Sequence, residues 1–247
     1  MTVEQEDKAK VKLEPPAPLS RNLTYGMLDL LGKAIVTGQY DAAPFPTEAE
    51  LAVRHAVSRS VTREAVKMLT AKGLLTARPR KGTTVQSPEH WNLFDSDVLR
   101  WLLERKFSLD LLRQFTELRI AIEPAAAALA ARAADEAGLM EIRGGYDRMV
   151  AAEAGEDDPL EADIAFHIAI LQASANPFYQ QFRDVVNTAL RTSIRFTNRF
   201  KGRTASLPQH HAVLSAIEGG EAERAQCAMA ELISDVTILI AQAERKS

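Results

Sequence analysis

The chain has 247 residues, 46% of them hydrophobic and 6% aromatic, with a formal net charge of −3. That length suits two domains that each bury a core, and an alanine-rich, aromatic-poor composition favours helix packing over a sheet sandwich. Cys227 is the sole cysteine, which excludes an internal disulfide and fits a reducing compartment. The beginning of the chain is polar, and no uninterrupted apolar run is long enough for a bilayer, so a cytoplasmic protein with no membrane partner is expected.

Residues 1–20 mix Glu, Lys and Pro with few large apolar side chains, and a disordered tail is expected there. From Asn22, Leu28, Leu31, Ala34 and Ile35 recur at helical spacing. Pro46, Thr47 and Glu50 have the order of a capping box, with Thr47 as the cap of a short helix carrying Leu51 and Ala52. Ser58 or Ser60 then caps a second helix, whose buried stripe is read as Val61, Ala65 and Leu69. Gly73 stops that helix. Two strands follow, around Leu75 and Thr84, on either side of the turn Arg78-Pro79-Arg80-Lys81-Gly82.

This order is a winged helix-turn-helix over 21–86. Between Arg54 and Gly82 the charges are eight basic residues and one acid, Glu64. Side chains expected to face DNA are Thr47 and Glu48 on the first short helix, then Ser58, Arg59, Ser60 and Arg63 at the start of the second. Arg80, Lys81 and Gly82 on the wing complete the set. Arginines at a recognition helix suit base edges and a basic wing suits phosphates. The alternative is a solvated basic helix and hairpin with no nucleic-acid role. The runs P-T-E-A-E-L, V-S-R-S-V-T-R-E-A-V and G-L-L-T-A-R-P-R-K-G-T-T-V resemble the DNA-binding domain of GntR-type bacterial transcription regulators. The resemblance implies double-stranded operator DNA as a partner. Ala49 departs from it, because relatives often carry an arginine there.

Residues 87–96 read as a linker, with Trp91 and Phe94 tethering it to a neighbouring surface. Over 97–247 there is no credible alternating strand. Helical periodicity covers Asp97–Arg105, Leu109–Arg132, Glu136–Glu153, Asp163–Ala173, Pro177–Phe200, Gln209–Glu218 and Glu221–Arg245, with breaks at Pro, Gly and Asn. The fold class expected is therefore mainly α, with a C-terminal all-α helical bundle. E-L-R-I-A-I-E-P, D-I-A-F-H-I-A-I-L-Q-A-S-A-N-P and H-H-A-V-L-S-A-I-E-G-G-E resemble the FCD effector-binding domain of the FadR branch of that family.

Asp163 and His167 lie at i, i+4 and leave one face of a helix, so both side chains can share a cation. The bland alternative is a hydrogen-bonded pair lining a polar pocket. The resemblance adds two later histidines; its pattern places the first on His210 rather than His211, and the last falls on Leu232. It therefore implies a three-ligand site, Asp163, His167 and His210, for a divalent ion such as Zn²⁺, with Glu231 or Asp235 as possible substitutes. Arg119 and Glu123 share a face of one helix; the resemblance turns that arginine toward an effector cavity, and the alternative is an intrahelical ion pair. Arg195, in the repeat Arg191, Arg195, Arg199, is a further effector candidate or part of a solvated stripe. Asn176 reads as a helix cap and Cys227 as core.

No H-E-x-x-H, G-x-S-x-G, P-loop or dinucleotide fingerprint is present. The resemblance thus implies a homodimeric regulator, a repressor of a sugar-acid operon. Its effector would be a small carboxylate, a sugar acid such as D-galactonate, bound with the metal. The competing expectation is a metal-dependent sugar-acid enzyme with an accessory DNA-binding domain.

Overall fold

A computed structural model describes residues 22–42, 44–78, 82–106, 108–200 and 206–245, with side chains except at 194–200 and 244. The tail expected over 1–20 lies outside these residues. The chain divides into two compact units, Met1–Asn92 and Leu93–Ser247.

In the first unit, α1 (Leu23–Val36) begins on Asn22, whose side chain accepts from the Tyr25 N–H. Met27, Leu28, Leu31 and Ile35 are buried along its inner face, which packs on α3. The capping box on α2 (Glu48–Arg54) is complete: Thr47 Oγ1 accepts from Glu50 N at 3.3 Å, and Thr47 N donates to Glu50 Oε2 at 2.8 Å. Ala56, at φ 52°, turns the chain sharply after this helix. Ser58 then caps α3 (Arg59–Ala71).

The buried stripe of α3 differs from the expected one. It is Thr62, Ala65, Val66 and Leu69, and Val61 is only half-buried. A strict four-residue repeat drifts around a helix of 3.6 residues per turn, so the stripe follows i, i+3, i+4, i+7. Strands β1 (Leu75–Arg78) and β2 (Gly82–Val85) pair antiparallel, from Leu75 opposite Val85 to Arg78 opposite Gly82. After the hairpin the chain folds back on the same unit. A 3-10 turn spans Pro88–His90, Asn92 N donates to Lys72 O, and the buried Trp91 donates through Nε1 to Gln86 O. Gly73 permits this approach: at φ +78°, a Cβ here would lie 2.1 Å from His90 O.

The second unit is a helical bundle of α4 (Ser96–Leu102), α5 (Leu109–Ala133), α6 (Glu136–Glu153), α7 (Pro159–Ala173), α8 (Pro177–Gln180), α9 (Arg183–Phe200), α10 (Leu207–Glu218) and α11 (Ala222–Glu244). Its core runs through Ile122, Ala126, Phe166, Ile170, Leu190, Val213, Ile217 and Met229. Helix α5 lies along α11, and α6 along α7. Two expected boundaries change. The helix expected from Asp163 begins a turn earlier, because Pro159 suits N1 and Asp158 caps it by accepting from Leu160 and Glu161. The helix expected over Pro177–Phe200 is two helices, the first only four residues long and capped by Asn176.

At Gly145, on α6, a Cβ would sit 2.7 Å from Phe166 Cα, so only glycine lets α6 approach α7 this closely. Phe94 is exposed and makes an edge contact with Phe182, both within this unit. Cys227, expected in the core, is exposed; two residues beyond the buried Ala225, it lies on the outer side of α11.

Candidate metal centre and nucleic-acid interface

Three helices supply a buried polar cluster inside the bundle. Arg119 and Glu123 come from α5, Asp163 and His167 from α7, and His210 from α10, and all five are buried. Asp163 Oδ1 is 3.0 Å from His210 Nε2 and 3.7 Å from His167 Nε2. Each of Asp163, His167 and His210 offers a ligand atom within 4.8 Å of the others, and among the described residues they are the one group of His, Cys, Asp or Glu so arranged.

The far sides of the two rings decide which nitrogen faces the centre. His210 Nδ1 lies 2.8 Å from the Ser206 carbonyl oxygen, to which it donates, so Nε2 is the nitrogen turned to Asp163 and, in the neutral ring, the one able to ligate a metal. His167 Nδ1 lies 2.6 Å from Glu123 Oε2. Neither His210 Nε2 nor His167 Nδ1 has an aligned hydrogen bond, so the close approaches to the carboxylates are bent ones. A carboxylate and a ring nitrogen that converge in a buried site are held together by a cation, either a proton on the ring or a metal ion between them. The three residues therefore fit a divalent ion.

Charge is tightly paired around the cluster. Arg119 Nε donates to Glu123 Oε1 at 2.5 Å and Nη2 to Oε2 at 3.2 Å. Burial alone would push the Glu123 carboxyl up, but Arg119 and His167 outweigh it and hold it down at about 2. The Asp163 carboxyl is likewise held below its ordinary value, with burial opposed by contact with His210 and the positive potential of His167 and Arg119. Burial would lower the Arg119 guanidinium, and Glu123 more than restores it.

His211 faces elsewhere: it is exposed, its Nδ1 is 3.4 Å from Ser215 Oγ, and its ring leans on Tyr146. Leu232 is in the apolar core. Glu231 and Asp235 are exposed and outside the cluster, with Asp235 accepting from Gln209 Nε2 at 3.0 Å. Arg191 is no solvated stripe residue; half-buried, it joins Glu161 at 2.7 Å and Asn187 at 2.8 Å. The Arg195 side chain lies outside the described residues. Two supports had no local sequence signal: the Ser206 carbonyl, which is backbone, and the Glu123–His167 contact, which links distant segments.

In the first unit, Thr47, Glu48, Arg59 and Gly82 line one cleft of about 700 Å³, together with Ala49, Tyr40 and Phe45. Arg59, Ser60 and Arg63 project from the exposed side of α3, Ser60 and Arg63 outside that cleft. The Ser58 hydroxyl is committed as the cap of α3. Arg80 and Lys81 lie outside the described residues. Tyr40 was not singled out from sequence; burial pushes its phenol up, opposed by Arg54.

Two family models match the chain: "Bacterial regulatory proteins, gntR family" over residues 27–85, and "FCD domain" over residues 114–235. The chain is 34% identical over 224 residues to the Galactonate operon transcriptional repressor of Escherichia coli (strain K12), covering 89% of this chain and 97% of that protein. It is 30% identical over 192 residues to the HTH-type transcriptional regulator LutR of Bacillus subtilis (strain 168), covering 75% and 86%. The solved structure of Lar, described as controlling expression of the Listeria monocytogenes agr system, shares the fold. Its TM-score is 0.60 at 19% identity, over 89% of this chain and 97% of that one. These relatives are regulators, and none gives support to an enzyme. FCD domains bind divalent metal, and regulators of the family bind operator DNA and small-molecule effectors. The chain belongs to the GntR family of bacterial regulatory proteins, with an FCD domain in its helical unit, and is a DNA-binding transcription regulator.

Proposed function

We propose that the protein represses a sugar-acid catabolic operon as a homodimer. It leaves the operator when a small carboxylate such as D-galactonate binds beside a divalent ion, Zn²⁺, held by Asp163, His167 and His210. The observation that carries this reading is the convergence of Asp163, His167 and His210, whose ligand atoms lie within 4.8 Å of one another in a buried site. With Leu232 in place of a further ligand, the ion offers open positions for a carboxylate and its neighbouring hydroxyl. The galactonate operon repressor among the relatives supports a sugar acid as the effector.

On the DNA side, Arg59 and Arg63 read base edges, while Thr47, Ser60 and the wing residues Arg80, Lys81 and Gly82 hold phosphates. Glu48, in the same cleft as Arg59, limits which bases that arginine meets. Two copies would present two helices to a two-fold operator. Effector binding favours one arrangement of the protein over another and so shifts its DNA affinity. Operator binding titrated with a panel of sugar acids, with and without chelator, tests the reading. Release by one acid only when metal is present is the expected result; indifference to every acid would sink it. Sedimentation of the free and DNA-bound protein tests the dimer.

A further inference from the structure

We propose that Arg119 and Glu123 are a positioning pair of the metal centre. Glu123 holds His167 with its proton on Nδ1 and its Nε2 free for the ion, and Arg119 serves Glu123 instead of an effector. This rests on the metal reading above. Two contacts favour this placing of the proton. His167 Nδ1 stands 2.6 Å from Glu123 Oε2, a close approach to a carboxylate that a proton on this nitrogen accommodates. On the other edge, Arg119 Nη2, which can only donate, lies 3.5 Å from His167 Nε2, a long contact that suits an unprotonated Nε2.

The pair is built for this task. A buried carboxylate without a counter-charge is costly, and Arg119 supplies one through Nε and Nη2 in a two-pronged grip. The two charges cancel, so Glu123 orients His167 without adding net charge beside the ion. A carboxylate on the outer nitrogen of a ligating histidine sets the ring and raises its basicity. An arginine held on two of its nitrogens by a residue of its own helix is a poor anchor for a second carboxylate.

The test begins with the unaltered protein. Absence of any Zn²⁺ binding by calorimetry overturns the metal reading itself. Long-range ¹H–¹⁵N spectra are expected to place the His167 proton on Nδ1; an Nε2–H form overturns the proposal. The double variant Arg119→Met with Glu123→Leu removes both charges together, which buried pairs often tolerate. Its Zn²⁺ affinity is expected to fall about 10–100-fold, with operator binding by the metal-free protein unchanged. D-galactonate, used as the probe, should bind normally once Zn²⁺ is saturating. Unchanged Zn²⁺ affinity overturns the proposal, and so does loss of D-galactonate binding that saturating Zn²⁺ does not restore, which would make Arg119 the anchor. If the double variant fails to fold, Glu123→Gln replaces it, with a smaller fall in Zn²⁺ affinity expected and no fall overturning the proposal. Should the unaltered protein bind Zn²⁺ but not D-galactonate, the choice of effector is wrong, and the spectra and the Zn²⁺ titrations still decide the pair.

Discussion

Asp163 on α7 and His210 on α10 bring Oδ1 and Nε2 to 3.0 Å in a site closed to solvent. The Ser206 carbonyl accepts from His210 Nδ1 on the other side of the ring, which leaves Nε2 to face the carboxylate. A divalent ion shared with His167 suits that arrangement, and the metal readings follow from it.

Loss of either histidine should remove Zn²⁺ binding measurable by calorimetry and abolish the response to sugar acids. His167→Ala and His210→Ala should still bind operator, since the two functions lie in separate units. His211→Ala should bind Zn²⁺ as the unaltered protein does, because that ring rests on Tyr146 in solvent. Ligating histidines must be neutral, so Zn²⁺ affinity should weaken in acid.

Gly145→Ala tests the close approach of α6 to the helix carrying Asp163 and His167. The added methyl would meet Phe166 backbone at 2.7 Å, and Phe166 directly precedes His167. Overpacking of this kind costs about 1–3 kcal/mol. Thermal unfolding should show that loss, and Zn²⁺ affinity should weaken with it as α7 is displaced. Full stability in the variant would mean that the two helices separate at no cost.

Arg59→Ala and Arg63→Ala should each weaken operator binding by about 1–3 kcal/mol and relax base preference at one position. An equal loss on operator and random DNA would assign them to phosphate instead. Removing Arg80 or Lys81 should act through charge, lowering the salt dependence of binding by about one unit of slope each. Titrations at several salt concentrations separate the two behaviours.

Acid should unfold the metal-free protein partly through Glu123. Its carboxyl is held at about 2, against an ordinary 4.5. The folded pKa is the lower one, so its stabilisation is complete above about 4.5 and is lost as pH falls from there toward 2. Urea midpoints measured across that range should fall more steeply in the unaltered protein than in the double variant lacking Arg119 and Glu123. Parallel slopes would show that the Glu123 carboxyl titrates alike in the folded and unfolded protein.

The residues by themselves determined what is settled within a turn or two of chain. The capping box of Thr47 and Glu50, a serine cap on α3 at Ser58 or Ser60, the Asn176 cap, and the shared face of Asp163 and His167 all follow from local backbone geometry. The resemblance added the choice of His210 over His211, which spacing alone leaves open. Only the tertiary structure decided the rest. It turned His210 inward and His211 outward, because neighbouring residues on a helix leave it about 100° apart and just one of them could meet α7. It placed Leu232 in the core and Cys227 in solvent, where an alanine-rich stretch gives little guidance to the inner face. It also set Glu123 against His167, a contact between separate helices that exists only once their packing has excluded water and fixed both side chains.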